Sequence, residues 1–360
     1  VNHAPVVELV RAGGRRVSGA VVEADGRRFE IRAKTVVNAT GVWADTVRTL
    51  DEGADPDTIR PAKGIHLTVP WSLVRNDIAV VAPVPKDKRS VFVVPWPVAH
   101  GGEPEFTYIG TTDTDYDGPL DDPQCTPEDV AYLLRAINAS TTTEITEEHV
   151  VGTWAGLRPL VKADASGRTA DLSRNHAVHT SDAGMITVTG GKLTTYREMA
   201  SDTVDVVADQ LDLPRSRRRS RTPRLRLLGA DGYEPEATGV ASHLHERYGG
   251  EARVVQIMIE RDPSLGEPLV PGLPYLRAEA VYAARYEMAR TLGDVLSRRT
   301  RALLLARDAT AAAAPAVADL VGDELGWDEA RRRREVDGFR ALAARARSAP
   351  GLPESVAPYV

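Results

Sequence analysis

The sequence predicts an α/β domain followed by an all-α domain, and three observations carry that prediction. Short apolar runs punctuated by glycine and proline fill residues 1–120. A strand at Met185–Thr189 leads through paired glycines into a long helix. From Ala237 to about Arg347, Ala, Leu, Arg and Glu dominate and strand signals are absent.

Val6–Val10, Val17–Val22 and Phe29–Ala33 are apolar-rich runs separated by Gly13-Gly14 and Asp25-Gly26, the pattern of an antiparallel meander. Thr35–Gly41 reads as a buried strand closed by a glycine, and Trp43–Leu50 as a short helix. Ile65–Val69, Ala79–Ala82, Val91–Val94 and Phe106–Thr111 are the next strands. Thr126-Pro127-Glu128-Asp129 supplies a helix start with Thr as N-cap, Pro at N1 and an acid at N3. That helix should carry Val130, Leu133, Leu134 and Ile137 inward. After Gly190-Gly191, Ala200, Val204, Val207 and Leu211 recur at helical spacing and mark an amphipathic helix. The predicted division is residues 1–213, an Arg-rich linker at 214–236, a helical domain at 237–347 and a loose tail at 348–360.

Composition excludes several classes. With 42% hydrophobic residues, the 360-residue chain can bury a sizeable core, and its net charge of −6 gives no reason to expect nucleic-acid binding. Cys125 stands alone, so an internal disulfide is excluded and a reducing, cytoplasmic setting is the expectation. No apolar run is long enough to cross a membrane as a helix. The eight histidines are dispersed; His243 and His245 share a helix read as exposed, so no metal is expected.

Four segments carry chemistry. In Ala39-Thr40-Gly41, small side chains and a glycine let a cofactor approach the backbone; an ordinary strand–helix corner reads the same way. Gly190-Gly191-Lys192-Leu193-Thr194-Thr195 opens a helix whose first N–H groups lack internal partners, and Lys192 adds a full charge. Such a start suits a phosphate or an anionic reduced flavin, although a tight turn with a solvated lysine fits too. Arg158, within Thr153–Leu160, suits bidentate phosphate or carboxylate binding, with a structural ion pair as the alternative. His66 enters a strand after Gly64, where a structural histidine is the commoner outcome. The seven arginines between Arg215 and Arg226 read as a solvated linker, with attraction to anionic lipid as the other reading.

In order, VVNATGVWAD (36–45), KGIHL (63–67), FTYIGTTDTDY (106–116), TWAGLRPL (153–160) and GMITVTGGKLTTYREMA (184–200) resemble the FAD-dependent glycerol-3-phosphate dehydrogenases, within the wider D-amino acid oxidase-like group. LRAEAVYAARYEMARTLGDVLSRRTR (276–301) and LGWDEARRRREV (325–336) extend the resemblance to the helical end. It implies an FAD/NAD(P)-binding, glutathione-reductase-like fold and the oxidation of sn-glycerol 3-phosphate to dihydroxyacetone phosphate. FAD would accept the hydride, and a quinone or other electron acceptor would follow. In matching positions, Arg158, Lys192 and Thr194 would bind substrate, and His66 would be the base beside its hydroxyl. Ala39, Thr40, Gly41, Gly190, Gly191, Lys192, Leu193 and Thr194 would line the flavin. Peripheral contact with the inner face of a membrane and a homodimer are further expectations.

The resemblance departs at the start, because residues 1–60 hold no strand–GxGxxG–helix unit to admit the FAD pyrophosphate. The fold is therefore expected to be incomplete, and the chain alone to hold FAD poorly. Two other functions stay open: a related flavin oxidoreductase acting on an amine or amino acid, and a non-catalytic truncated or split chain.

Overall fold

A computed structural model describes residues 1–96, 104–162, 175–214, 218 and 220–354. The chain forms two compact units, neither continuous in sequence. Unit 1 holds Val1–Gly64, Asp113–Pro123 and Gly156–Leu225; unit 2 holds Ile65–Thr112, Gln124–Ala155 and Arg226–Val360. The linear division read from the sequence is thus a different partition: strand β5 (Ile59–Pro70) and strand β10 (Gly152–Val161) each pass from one unit into the other.

Unit 1 opens with the expected meander: β1 (Val6–Ala12), β2 (Arg16–Ala24) and β3 (Arg27–Arg32) pair antiparallel in that order. Both turns need left-handed backbone, which Gly13, Gly14 and Gly26 adopt without a Cβ clash. Strand β4 is only Val37–Asn38. The predicted buried strand is therefore shorter and more open: Val37 is 40% exposed, and Asn38 is the buried residue. A short 3-10 turn follows at Gly41–Trp43, then helix α1 (Ala44–Glu52). The α1 residue Asp45 accepts from the backbone N–H of Thr58 and Ile59, at 2.6 and 2.7 Å, fixing the chain's return into β5.

The second sheet of unit 1 has the order β11 (His176–Thr180), β12 (Ile186–Gly190), β4. Strand β12 runs antiparallel to β11 and parallel to β4, pairing Ile186 with Val37 and Thr187 with Asn38. Helix α3 (Tyr196–Gln210) follows. Its buried positions are Thr203 and Ala208, whereas Val204 of the predicted apolar stripe is 58% exposed and Ala200 is exposed as well. Helical periodicity found the element, but the neighbours of β12 select a face that begins at Met199 and Thr203. Leu9, Val17 and Met185 form the small core that joins meander and sheet.

In unit 2, β6 (Val80–Pro83), β7 (Ser90–Trp96) and β8 (Phe106–Gly110) continue from β5, giving the sheet order β10-β5-β8-β7-β6; β9 (Thr114–Asp115) pairs with the unit-1 end of β5. Side chains alternate between its faces. Ile65, Leu67, Val69, Val91, Val93 and Ile109 pack against Val130, Leu133, Leu134 and Ile137 of helix α2 (Pro127–Asn138). Thr126 and Asp129 form the reciprocal capping box expected at its start.

The helical part of unit 2 comprises α4 (Gly239–Tyr248), α5 (Ala252–Arg261), α6 (Arg277–Tyr286), a π turn at Asp294–Arg299, α7 (Ala302–Leu305), α8 (Arg307–Leu325) and α9 (Glu329–Ser348). Two expectations are corrected here. His243 and His245 are 6% and 5% exposed, not surface residues, because His243 is drawn into a buried polar cluster around Glu279. The tail is not loose over its described residues: Leu352 is buried beside the α2 core, and Arg307 donates to the carbonyl of Pro353 at 2.9 Å. Residues 355–360 of that tail, and Arg215, Arg217 and Arg219 of the arginine run, lie outside the described residues.

Candidate active site

The parallel pairing of β4 and β12 decides the geometry in unit 1. Both strands end at the same edge of their sheet, so the turn after each leaves side by side. One turn is Ala39-Thr40-Gly41 and the other Gly190-Gly191-Lys192, two of the segments singled out in the sequence. In open α/β sheets this carboxyl edge is where ligands bind.

Asn38 shapes the first turn. Its carboxamide donates to the carbonyl of Ala44 at 2.9 Å, while its oxygen accepts from the backbone N–H and hydroxyl of Thr40, at 3.3 and 2.7 Å. Gly41 sits at φ +62° with open space where a Cβ would stand, leaving the backbone accessible. Sequence reasoning did not single out Asn38; a polar residue at the end of an apolar strand was the available signal.

The second turn is tighter. Gly190 and Gly191 have φ of +73° and +75°, and a Cβ on Gly190 would stand 2.5 Å from the carbonyl oxygen of Asn175. Lys192 is extended and exposed, and Leu193–Thr195 make a 3-10 turn into α3. Thr195 donates to the Lys192 carbonyl through both its backbone N–H and its hydroxyl, at 3.0 and 3.1 Å. Leu193 is 87% exposed and Thr194 is exposed, so this helix start presents itself to solvent. Arg158, also in unit 1, is half-buried and forms an ion pair with Asp113 at 3.4 Å. The structural ion pair left open in the sequence is therefore present, and Asp113 is its partner.

Unit 2 carries His66. Its ring lies flat on Trp154, with centroids 4.6 Å apart and 6° between planes, and meets Tyr108 edge-on at 5.9 Å. Trp96 stands edge-on to both Trp154 and Tyr108. Gly110, directly opposite His66 on β8, makes room for the imidazole: a Cβ there would lie 2.3 Å from His66 Cδ2. The sheet therefore has an apolar face on α2 and an opposite face bearing a histidine packed on Trp154 and Tyr108, with Trp96 behind those two rings. Sequence reading missed this aromatic setting, because Trp96, Tyr108 and Trp154 lie on three strands that only register brings together.

Arg158, Lys192, Thr194 and both glycine turns thus belong to unit 1, and His66 to unit 2. Among the described residues no cluster of His, Cys, Asp and Glu could hold a metal, and no helix is long and apolar enough to cross a membrane.

The FAD dependent oxidoreductase family matches residues 1–197, and the C-terminal domain of alpha-glycerophosphate oxidase matches residues 220–332. Glycerol-3-phosphate dehydrogenase 2 of Mycobacterium tuberculosis is 37% identical, over 93% of this chain and 58% of that protein. The mitochondrial glycerol-3-phosphate dehydrogenase of Mus musculus is 34% identical, over 93% of this chain and 48% of its own length. The chain thus spans about half the length of these relatives. The solved glycerol-3-phosphate dehydrogenase from Bacillus halodurans, complexed with FAD, superposes with a TM-score of 0.79 at 29% identity, over 96% of this chain and 69% of that one. With its first 197 residues matched to that family and its fold shared with an FAD-bound structure, the chain belongs to the FAD dependent oxidoreductases.

Proposed function

We propose that this chain is the substrate-facing part of an FAD-dependent glycerol-3-phosphate dehydrogenase, oxidising sn-glycerol 3-phosphate to dihydroxyacetone phosphate. The observation that carries the reading is the shared carboxyl edge of β4 and β12, with an accessible backbone at Ala39–Gly41 and a cationic helix start at Lys192. The matched relatives point to the same substrate.

The residues present fit the flavin-ring side of FAD. Small, open positions at 39–41 admit a planar group, and the exposed turn Lys192–Thr194 ahead of α3 turns a helix start and a lysine charge to its electron-rich edge. When bound, FAD accepts a hydride from C2 of the substrate. Lys192 and Arg158 provide the positive charge that holds a phosphate monoester, with Asp113 orienting the Arg158 guanidinium. His66 is the group we assign to take the C2 hydroxyl proton, its ring orientation set by Trp154 and by the gap at Gly110. In this reading a quinone-type acceptor takes the electrons onward, and the membrane solubility of quinones supports a cytoplasmic protein in peripheral contact with the inner face of a membrane.

The test uses the full-length, flavin-loaded protein. Anaerobic addition of sn-glycerol 3-phosphate should bleach the flavin. Arg158→Ala and Lys192→Ala should each reduce kcat/KM by roughly 10²-fold, the loss of about 2.7 kcal/mol of charge-assisted binding. Near-normal kinetics in both variants rejects the assignment. His66→Gln should lower kcat and remove the rising limb of the pH–rate profile; an unchanged profile removes His66 as the base.

A further inference from the structure

Arg301 has an unusual position in the helical part of unit 2. It adopts left-handed backbone, φ 59° and ψ 20°, where a glycine would be the low-strain residue. Its neighbours hold it there. Thr300 is fully buried and donates to the carbonyl of Val295 through both its N–H and its hydroxyl, at 2.9 Å each. On the other side, Ala302 and Leu305 are fully buried, and Leu303 nearly so. The chain therefore turns outward at Arg301 alone.

The side chain caps nothing and makes no ion pair among the described residues. Arg298 and Arg299, by contrast, share the buried carboxylate of Asp294 at 3.4 and 3.5 Å. The Arg301 guanidinium lies 5.8 Å from the centroid of Trp96. Trp96 is the outer member of the group of rings that holds His66. An exposed guanidinium laid on an aromatic face keeps its charge and its outer N–H donors available, and its planar fork matches a phosphate monoester.

We infer that Arg301 is a specificity-determining residue, contributed by the helical region, that recognises the phosphate of the incoming substrate at the Trp96 end of the aromatic face. This rests on the proposed oxidation of glycerol 3-phosphate for its substrate, and only on Arg301 and Trp96 for its site. Arg301 selects phosphorylated over free polyols before His66 and the flavin-side cations engage them.

The 360-residue chain itself allows a direct test. The indole ¹⁵N–¹H resonance of Trp96, assigned with Trp96→Phe, is followed during titration with sn-glycerol 3-phosphate, inorganic phosphate or glycerol. The two phosphates should shift it and glycerol should not, and glycerol 3-phosphate should saturate at the lower concentration. Arg301→Gln should weaken that response by roughly fivefold or more, while Arg301→Lys keeps part of it and 0.5 M salt, an added concentration of roughly that size, suppresses it. A Trp96 resonance that phosphates leave in place, or that moves equally in Arg301→Gln, overturns the inference. In the full-length, flavin-loaded enzyme Arg301→Gln should raise KM roughly fivefold with kcat retained; a fall in kcat at constant KM also overturns it. Failure of the wild-type flavin to be reduced by glycerol 3-phosphate strikes the proposed function instead, and the inorganic-phosphate titration still decides the role of Arg301.

Discussion

Replacing Glu279 by Gln should destabilise the helical part of unit 2 more than almost any other single polar change. The carboxylate is fully buried and accepts four hydrogen bonds. One oxygen takes His243 Nε2 at 2.8 Å and the Leu276 backbone N–H at 2.9 Å; the other takes Arg247 Nε at 2.6 Å and the Tyr248 hydroxyl at 2.9 Å. Arg247 also stacks on Tyr275, 4.8 Å from its centroid, so its charge is compensated inside the helical core. Burial pulls the Arg247 pKa down, but Glu279 and the tyrosines outweigh it and leave the net value raised. In Glu279→Gln one oxygen becomes an NH2 group facing donors, and Arg247 keeps a poorly paired charge. Breaking a buried pair in this way costs about 3–5 kcal/mol. Because the Arg247 side chain is 24% exposed, the lower end, about 3 kcal/mol, applies. That corresponds to a fall in Tm of roughly 6–12 °C for a unit of this size.

The pH dependence sharpens this test. Burial alone raises the Glu279 pKa, but hydrogen bonding from His243 and the charge of Arg247 overcome it, so the folded value is lowered. A folded pKa below the unfolded one means the contribution is complete above the unfolded value of about 4.3 and is lost as the pH falls through the folded value. Urea unfolding of wild type and Glu279→Gln should therefore show a constant gap above about pH 5 that narrows below about pH 4. A gap under about 1 kcal/mol, or one that persists undiminished into acid, refutes the argument.

Other expectations follow from local geometry. Gly190→Ala should cost about 2–3 kcal/mol, from positive φ plus collision with the Asn175 carbonyl, whereas Gly191→Ala, also at positive φ, collides with the flexible Met199 thioether, crowds His176 Cβ at 3.3 Å and should cost about 1–2 kcal/mol; equal urea midpoints contradict this order. Asn38→Ala should cost about 1–3 kcal/mol and, in the flavin-loaded protein, loosen FAD, because the Thr40–Gly41 turn loses its internal acceptor; unchanged flavin release would count against that role. Thr126→Ala should remove about 1 kcal/mol by deleting half of the α2 capping box, with Thr126→Ser close to wild type in thermal unfolding.

What the sequence determined by itself is what short-range chemistry controls. Gly13-Gly14 and Asp25-Gly26 impose hairpin turns because left-handed backbone excludes most other residues, and Thr126-Pro127 starts α2 because its cap needs only the next three residues. Gly190-Gly191-Lys192 is a legible helix start for the same reason. What tertiary structure decided is partnership at long range. His243 and His245 look like surface residues until α6 brings Glu279 across 36 positions to His243. The sequence allows Arg158 an ion pair but does not name its partner, Asp113, which meets it across 45 positions. The stripe of α3 announces a helix, but periodicity cannot say which neighbour covers which face, so Val204 ends exposed and Thr203 buried. His66 is a histidine after a glycine until strand register lays it on Trp154 opposite Gly110. Backbone conformation is a property of a few adjacent residues; burial, pairing and ring stacking belong to segments that only the folded chain brings together.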